Sequence, residues 1–336
     1  MKVLIIGGTG LISSQITAQA LSAGFEVALL NRGLHKSEHA GHVRLLCADR
    51  RNAQAFEEAL KGETPDVVVD MIAFNAADAS QTLNALDGRA EQIIFTSSVA
   101  AYEQPAAVLP IRESAVRLRT AEDYAYGYQK AEMERYLAAC QNRSAVTIIR
   151  PSLTYGVGGK NIGVLRQNAN IVRRIRAGKP LLLFGDGLGP WTLTFAPDLA
   201  RAYVLSFLNA NTYGRAFHVT SDGVNVWRDL YTTLSDLAGR EPVFRFMPAQ
   251  MLYAADERLF GHIHFEKKYA SIYSSEAFRK AVPEWKPELN LGRGMEQIFA
   301  WWEEEGFPAD PQKEHLEDQL CELAERFEGE VKLRFS

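Results

Sequence analysis

The chain has 336 residues, with 37 lysines and arginines against 41 aspartates and glutamates, and a formal net charge of −4. This balance gives no overall basic field for a phosphate backbone, so nucleic acid is not an expected partner. The length favours one large α/β domain with a smaller companion over a single core.

Three cysteines, Cys47, Cys140 and Cys321, are widely spaced and odd in number. They supply neither a disulfide framework nor a cysteine-rich metal site, and they suit a reducing compartment. The chain opens on the strand-like stretch MKVLIIGG and its apolar runs are strand-sized, so we expect neither a secretory signal nor a membrane span. The prediction is a cytoplasmic protein.

Short β-branched runs alternate with helical patterns through the first half of the chain. Such alternation predicts crossover units on a parallel sheet, and the nearly continuous apolar character of the runs indicates helices on both faces. The predicted strands are KVLII, EVALL, VRLLC, DVVVDMI, QIIF and VTII, with helices at 11–23, 53–61, 77–86 and 121–141.

The resulting prediction is an α/β fold, a Rossmann-type doubly wound parallel sheet with a smaller C-terminal substrate domain. Residues 1–155 form the dinucleotide-binding domain, with later segments around 190–220 returning to it. Residues 156–305, which lack the strand and helix rhythm, form mainly the substrate domain. Residues 306–336 form a C-terminal amphipathic helix and tail.

The stretch VLIIGGTGLISSQ runs from a strand into a helix. Gly7 and Gly10 are spaced for a tight turn whose backbone N–H groups can approach a pyrophosphate, and the helix N-terminus adds partial positive charge. Ser13 stands where this fingerprint has a third glycine, and it is small enough to be tolerated. Further cofactor contacts are expected from Thr9, Leu11 and Ile12.

The second predicted strand ends in LLNRG rather than in the carboxylate that selects the ribose hydroxyl of NAD. Asn31 can hydrogen-bond a hydroxyl, and Arg32 can meet a 2′-phosphate, although Arg32 is equally compatible with a solvated surface position. The cofactor is therefore expected to be NAD(P), with NADP favoured over NAD.

The stretch YAYGYQK at 124–130 places three tyrosines before one lysine. On a helix, residues four apart share a face, so Tyr126 lies beside Lys130, whereas Tyr124 and Tyr128 are better explained by packing or rim contacts. A neighbouring ammonium, with an oxidised nicotinamide, would lower the phenol pKa toward working pH. Ser98, at the end of the fifth strand, can orient the reacting oxygen.

Together GGTGLIS, FTSSVAAY, YGYQK, IIRPSLTYG and GDGLGPWTLTFAPDLARA resemble the short-chain dehydrogenase/reductases, specifically the extended branch of nucleotide-sugar epimerases and dehydratases. The resemblance runs to about residue 305. It implies an active site of Ser98, Tyr126 and Lys130, with Lys130 also holding the nicotinamide ribose. It also implies an adenine contact at Asp49, with Arg50 beside it among the cofactor residues, and a homodimer is usual for such proteins.

Two departures from that pattern narrow the chemistry. Ser98 is followed by Val99, Ala100 and Ala101 where dehydratases of this branch carry a carboxylic acid, which disfavours elimination. Trp191 replaces a phosphate-gripping Arg, so the standard UDP-sugar pose is in doubt. Ser98, Tyr155 and Trp191 are the expected substrate contacts.

Several other residues leave alternatives open. Asp70 suits either a cofactor or substrate hydrogen bond or a cap on the following loop, and Arg150 could grip a phosphate but fits a structural role better. The imidazoles of His262 and His264 would share one side of a strand, yet with no Cys or carboxylate constellation nearby we predict no metal.

In the C-terminal helix an apolar stripe is formed by Leu316, Leu320, Leu323 and Phe327. Docking of this stripe on the protein's own surface is favoured over a dimer contact, and both remain open.

The leading hypothesis is an NAD(P)-dependent epimerase or oxidoreductase that acts on a sugar or nucleotide-sugar, with Tyr126 as acid and base. One alternative is an NADPH-dependent carbonyl reductase of a non-nucleotide substrate. A second, of another class, is RNA binding on a Rossmann scaffold, since LLNRG, the Asp70 strand and the GDG loop are similar to the chloroplast stem-loop RNA-binding proteins.

Overall fold

The computed structural model describes residues 1–34 and 39–336. Its strands are short and mostly buried, as the apolar runs of the sequence indicate. They are β1 (Lys2–Ile6), β2 (Glu26–Asn31), β3 (Arg44–Cys47), β4 (Val67–Asp70), β5 (Gln92–Thr96), β6 (Ala145–Pro151), β7 (Leu153–Tyr155), β8 (Pro180–Phe184), β9 (Pro190–Trp191), β10 (Leu193–Phe195), β11 (Arg215–Val219), β12 (Asn225–Val226) and β13 (Val243–Met247).

Helices connect and cover these strands. They are α1 (Leu11–Ser22), α2 (Ala53–Leu60), α3 (Ala76–Leu86), α4 (Ala125–Ala139), α5 (Asn170–Ala177), α6 (Ala196–Leu205), α7 (Trp227–Ala238), α8 (Ala249–Ala255), α9 (Glu257–His262), α10 (Glu276–Ala281), α11 (Leu291–Glu304) and α12 (Pro311–Phe335).

The central sheet has seven parallel strands in the order β11-β6-β5-β4-β1-β2-β3. Alternate side chains of each strand enter opposite cores, as a period of two requires. Val3 and Ile5 of β1 pack in the core that includes α6, whereas Leu4 and Ile6 pack in the core that includes Phe56 of α2. The Rossmann-type doubly wound sheet predicted from the sequence is confirmed.

The chain returns to this sheet late. Strand β11 pairs in parallel with β6, from Arg215 beside Thr147 to Val219 beside Pro151. Helix α6, which precedes β11 in the chain, packs on α1 on one face of the sheet. The seventh strand therefore closes the sheet edge next to β6, about 60 residues after β6 ends.

The remaining strands form three two-stranded pairs, β7 with β10, β9 with β12, and β8 with β13. With α5, α7, α11 and the first half of α12 they enclose a second hydrophobic core that contains Trp191, Trp302 and Tyr231. In the described ranges 1–34 and 39–336, no helix is both long and apolar enough to cross a bilayer. The smaller lobe thus has its own core beside the sheet.

Candidate active site

The glycine loop after β1 makes a tight turn into α1. Gly7 has φ +91°, and a Cβ there would lie 2.6 Å from Ile72 Cγ2, so this position requires glycine. The Ser13 hydroxyl accepts from the Gly10 N–H at 2.8 Å and donates to the Gly7 carbonyl at 2.9 Å. Ser13 therefore closes the turn, and the start of α1 offers backbone N–H groups suited to a pyrophosphate.

A side cleft of about 620 Å³ opens from this loop over the carboxyl ends of β2 and β3. Asn31 Oδ1 accepts from the Gly33 N–H at 2.8 Å, which fixes its carboxamide at the rim. The cleft has the place and lining expected for the adenosine half of a dinucleotide. The predicted cofactor residues that line it are Gly7, Thr9, Gly10, Asn31, Arg32, Asp49 and Arg50.

Arg50 differs from the expected cofactor contact. Its side chain is 7% exposed, and its guanidinium donates to the Asp70 carboxylate at 3.1 Å and to Thr82 Oγ1 at 2.8 Å. Asp70 is fully buried and also accepts from Thr82 Oγ1 and the Ile72 N–H. Both charges are paired inside the protein, so this ion pair supports the floor of the cleft, and Asp70 caps the loop that follows it.

The main cleft, of about 1060 Å³, is lined by Ser98, Tyr126 and Lys130. Lys130 is 1% exposed, and its Nζ donates to the carbonyls of Ala73 at 2.7 Å and Thr96 at 2.6 Å. Burial lowers the pKa of Lys130 to about 8, against the charge of Asp70. The ammonium is thus fixed between the ends of two sheet strands. Leu11 and Ile12 line the same cleft.

Tyr126 is 41% exposed and lines the cleft wall near Ser98. Burial of the hydroxyl raises the pKa of Tyr126, and the nearby Ser98 side chain only partly opposes this. The Lys130 ammonium donates to two backbone carbonyls. The lowering of the phenol pKa expected from the sequence also requires an oxidised nicotinamide, so it stays a prediction.

Gly127 explains how the tyrosine reaches the serine. A Cβ at this position would lie 2.3 Å from the Ala100 carbonyl, so only glycine lets α4 pack directly on the turn that follows Ser98. Tyr124, at the start of α4, stacks on Phe265 with ring centroids 5.7 Å apart. The glycine within YGYQK was a signal for this close approach that the sequence analysis did not use.

A buried network behind the catalytic wall was also missed. Ser97 Oγ donates to the Glu134 carboxylate, which the Arg150 guanidinium grips through two nitrogens. Arg150 Nη1 donates to Tyr102 Oη at 2.6 Å, and that hydroxyl lies 2.7 Å from His218 Nε2. Burial and the charge of Arg150 lower the pKa of His218 to about 3, which keeps its ring neutral. Glu134 lies four residues after Lys130, on the same helix face.

The opposite wall of the cleft comes from the second lobe. A loop supplies Lys160 and Arg166, and a π-helical turn at Ile263–Lys267 supplies Glu266 and Lys267. Among residues 1–34 and 39–336, Lys160, Arg166 and Lys267 form no ion pair with a carboxylate. This wall therefore presents three cationic side chains to the cleft, beside the Glu266 carboxyl.

The charges of this wall act on one another. Burial lowers the pKa of Lys267 to about 8; the charge of Glu266 opposes this shift, and the charge of Arg166 adds to it less strongly. Burial raises the pKa of Glu266, which favours its neutral form. Arg166 has φ +56°, uncommon for a residue with a side chain, and its carbonyl accepts from Lys313 Nζ and Asn168 Nδ2.

Two predicted substrate residues lie outside the cleft. Trp191 is 1% exposed, with its ring centroid 5.4 Å from that of Trp227. Tyr155 is 2% exposed, and its ring packs 5.5 Å from Phe195. Both side chains are turned into the core of the second lobe, because the faces of β7 and β9 that carry them are covered by helices. The expectation of direct substrate contact from these residues is not met.

The strand expected around His262 and His264 is wrong. His262 ends α9, and His264 lies in the π-helical turn, where its ring stacks 4.5 Å from that of Tyr253. The apolar and aromatic spacing of this segment fits packing on a helix, which short runs do not distinguish from a strand. In the part of the chain that the structure describes, no three His, Cys, Asp or Glu side chains form a group that could hold a metal.

Comparison with known proteins agrees with this geometry. The model of the NAD dependent epimerase/dehydratase family matches residues 3–219. The chain is 28% identical to 2′-dehydrokanamycin reductase of Streptomyces kanamyceticus over 242 residues, which are 71% of this chain and 67% of the relative. It is 24% identical to the chloroplast stem-loop binding protein of 41 kDa b of Arabidopsis thaliana over 314 residues, which are 89% of this chain and 78% of the relative.

A solved structure shows the same fold. The UDP-glucose 4-epimerase of Thermotoga maritima, in a crystal structure with UDP-glucose, aligns with a TM-score of 0.72 and 18% identity. The alignment covers 91% of this chain and 99% of that chain. The likeness therefore extends over both lobes.

Proposed function

The chain belongs to the NAD dependent epimerase/dehydratase family and is an NAD-dependent enzyme, and on that premise we propose that it transfers hydride between a carbohydrate and a bound nicotinamide. Ser98, Tyr126 and Lys130 are the proposed catalytic residues. The observation that carries this proposal is that all three line one cleft with Gly7 and Gly10 of the dinucleotide loop.

The residues present fit such a cofactor. A side chain on Gly7 would collide with Ile72, and the side cleft beyond the loop is lined by Asn31, Arg32 and Asp49. The nicotinamide, when bound, supplies the centre that accepts or donates hydride. Ser98 would hold the substrate oxygen, and Lys130 would hold the ribose beside Tyr126.

The proton is the part of the reaction that Tyr126 would carry. With its pKa raised, the phenol is protonated near neutral pH and can donate to a carbonyl oxygen that gains hydride. In the opposite direction a carbinol loses hydride from carbon and its hydroxyl proton to the Tyr126 oxygen. That direction requires positive charge near the phenol, which an oxidised nicotinamide carries.

The substrate wall supports a carbohydrate derivative that bears an anionic group. Arg166, Lys267 and Lys160 line the cleft without a direct ion pair among the described residues, and such cations suit phosphate or carboxylate oxygens. They would take the place of the phosphate-binding Arg that Trp191 replaces. UDP-glucose, the ligand of the Thermotoga maritima structure, is the first substrate to test.

Carbonyl reduction with NADPH is the second candidate. Arg32 lines the adenosine cleft where a NAD-selective enzyme would carry a carboxylate, and one relative is a reductase. Epimerisation would return the hydride to the same substrate with no net use of cofactor, whereas reduction would consume NADPH in equal amounts. The two candidates differ in cofactor balance and share the same catalytic residues.

Turnover assays distinguish them. We expect either interconversion of UDP-glucose and UDP-galactose with no added cofactor, or loss of nicotinamide absorbance when NADPH and a keto sugar are supplied. Tyr126→Phe should lower kcat by about 10²–10⁴-fold, the usual contribution of a general acid or base. Tyr128→Phe, on the same helix but outside the cleft, is the matched control. Near-normal turnover by Tyr126→Phe would refute the assignment.

A further inference from the structure

Helix α12 consists of two unlike halves. In the first half Leu320, Cys321 and Ala324 are 5%, 2% and 7% exposed and belong to the core of the second lobe. From Glu325 to Ser336 every residue is exposed. The sequence favoured docking of the whole stripe on the protein's own surface, but only its first half docks.

The projecting half continues an apolar face that begins just before it, at Leu323. Leu323, Phe327, Val331 and Phe335 follow one another at intervals of four and are 46%, 56%, 41% and 82% exposed. Residues four apart on a helix are neighbours on one side, so these four form a continuous apolar stripe. We refer to it as the α12 stripe. An apolar face of this kind marks a contact surface more often than a solvated one.

Little holds this half of α12 to the rest of the molecule. Glu325 pairs with Arg245 of β13 at 2.9 Å. Beyond it, within the described chain, no hydrogen bond or ion pair joins residues 326–336 to another element, and the pair Glu328–Lys332 lies within the helix. A helix of about a dozen residues is marginal in water, and Gly329 weakens it further. Contact of another apolar surface with the α12 stripe would stabilise this half of the helix.

Charges on the two sides of the stripe repeat in opposite order. By helical geometry Arg326 and Glu330 lie on one side, and Glu328 and Lys332 lie on the other. In an antiparallel pair of identical helices each side meets the same side of its partner. Arg326 then faces the partner helix at Glu330, and Glu328 faces it at Lys332. The pair Arg326 and Glu330 is centred one residue before Gly329, and the pair Glu328 and Lys332 is centred one residue after it. Two helices that cross at Gly329 therefore place opposite charges against each other on both sides.

The apolar residues are also arranged symmetrically about Gly329. With two helices antiparallel about Gly329, Leu323 meets the second helix at its Phe335, and Phe327 meets it at its Val331. The basic end of each helix, with Lys332 and Arg334, also comes beside the acidic residues near the start of the other stripe. Oppositely directed helix dipoles and opposite charges both favour this alignment over a parallel one.

We propose that the α12 stripe is the contact with a second copy of this chain, through antiparallel pairing of the two projecting helices. A single short helix pair falls among interfaces below about 1,200 Å² of buried surface, which associate weakly. The dimer should accordingly form in the micromolar range of concentration.

Sedimentation equilibrium of the full chain tests the contact. The wild-type protein should shift from monomer to dimer between about 1 and 100 μM, the range set by that affinity. Phe327→Glu should remain monomeric throughout. Leu333→Glu is the matched control, because Leu333 is 84% exposed but lies on the opposite side of the helix. A wild-type chain that is monomeric at every concentration, or a dimer that Phe327→Glu leaves intact, would overturn the proposal.

Mixing two charge variants tests the direction of pairing. Arg326→Glu and Glu330→Arg should each weaken self-association at least tenfold, because each places like charges opposite one another. Their equimolar mixture should dimerise with an affinity within about threefold of wild type, because the glutamates at both positions of the first variant would face arginines at both positions of the second. In a parallel pair the mixture gains no such match, so absence of recovery would contradict the antiparallel arrangement. Circular dichroism of each variant checks that the fold is retained.

Discussion

The two walls of the cleft are stabilised in different ways. On the wall built from the sheet, the buried charges have internal partners: Arg50 with Asp70, Glu134 with Arg150, and Lys130 with two carbonyls. On the wall built from the second lobe, Arg166 and Lys267 form no direct ion pair in the described ranges, although the charge of Glu266 acts on Lys267. A wall whose charges are already paired gives fixed geometry, whereas a wall with unpaired charges has binding capacity left for a ligand.

The largest expected effect concerns the paired wall. Glu134→Ala should lower the free energy of unfolding by about 3–5 kcal/mol, because it leaves the Arg150 guanidinium buried without its carboxylate. Urea unfolding of both proteins measures the difference. Glu132→Ala, which removes a half-exposed pair with Arg135 on the same helix, should cost less than about 1 kcal/mol. Equal losses in the two variants would show that the buried network is not what stabilises this wall.

The contrast also explains what could be predicted from the sequence. Strands β1 to β6 and the set of Ser98, Tyr126 and Lys130 were predictable, because short apolar runs and residues four apart on a helix express local geometry. The role of Glu134 was not predictable, since its partner Arg150 lies 16 positions away, on strand β6. A carboxylate four residues after a lysine looks like a surface pair in the sequence.

Misplaced residues cluster in the second lobe. Trp191 and Tyr155 were expected at the substrate, yet the contacts that bury them come from Trp227 and Phe195, and no local pattern reveals which face of a two-residue or three-residue strand is covered. Arg166 gave no signal, because its position depends on backbone conformation and on Lys313 far along the chain. The positions of side chains in the second lobe therefore depend on long-range packing.

A second test of the paired wall uses pH. The pKa of Lys130 is about 8 in the folded protein and about 10.4 for an unfolded lysine, so between these values the unfolded chain binds more protons. Stability of the wild type relative to Lys130→Met should therefore rise between about pH 8 and pH 10, by up to about 3 kcal/mol, and be constant below pH 7.

Urea unfolding of both proteins across this range provides the measurement. Lys61→Met, at a side chain that is 74% exposed, is the control, and its stability difference from the wild type should stay nearly flat over the same interval. A difference for Lys130→Met that stays flat, or that falls as the pH rises, would contradict the assigned burial of the ammonium.

The unpaired wall gives a smaller, kinetic effect. Arg166→Gln should raise KM for the anionic substrate by about 10–100-fold with kcat nearly unchanged, because a charged hydrogen bond contributes about 1.5–3 kcal/mol to binding. Arg176→Gln, an exposed arginine on α5 outside the cleft, is the control. Steady-state kinetics with UDP-glucose would measure this. A fall in kcat at unchanged KM would place Arg166 in the chemical step instead.

Arg32 is an exception to the contrast between paired and unpaired charges. This arginine lies on the cofactor side and yet has no carboxylate partner among the described residues. If Arg32 binds a 2′-phosphate, Arg32→Ala should weaken NADPH by up to about tenfold, about 1.4 kcal/mol, and leave NADH unchanged. The effect is small because the arginine is exposed and water screens its charge. Nicotinamide fluorescence titrations with both cofactors measure it. Equal weakening of NADPH and NADH binding would assign Arg32 to the pyrophosphate that both cofactors share. No change for either cofactor would show that Arg32 is a surface residue. Cations without an ion pair would then indicate ligand binding on the substrate wall alone.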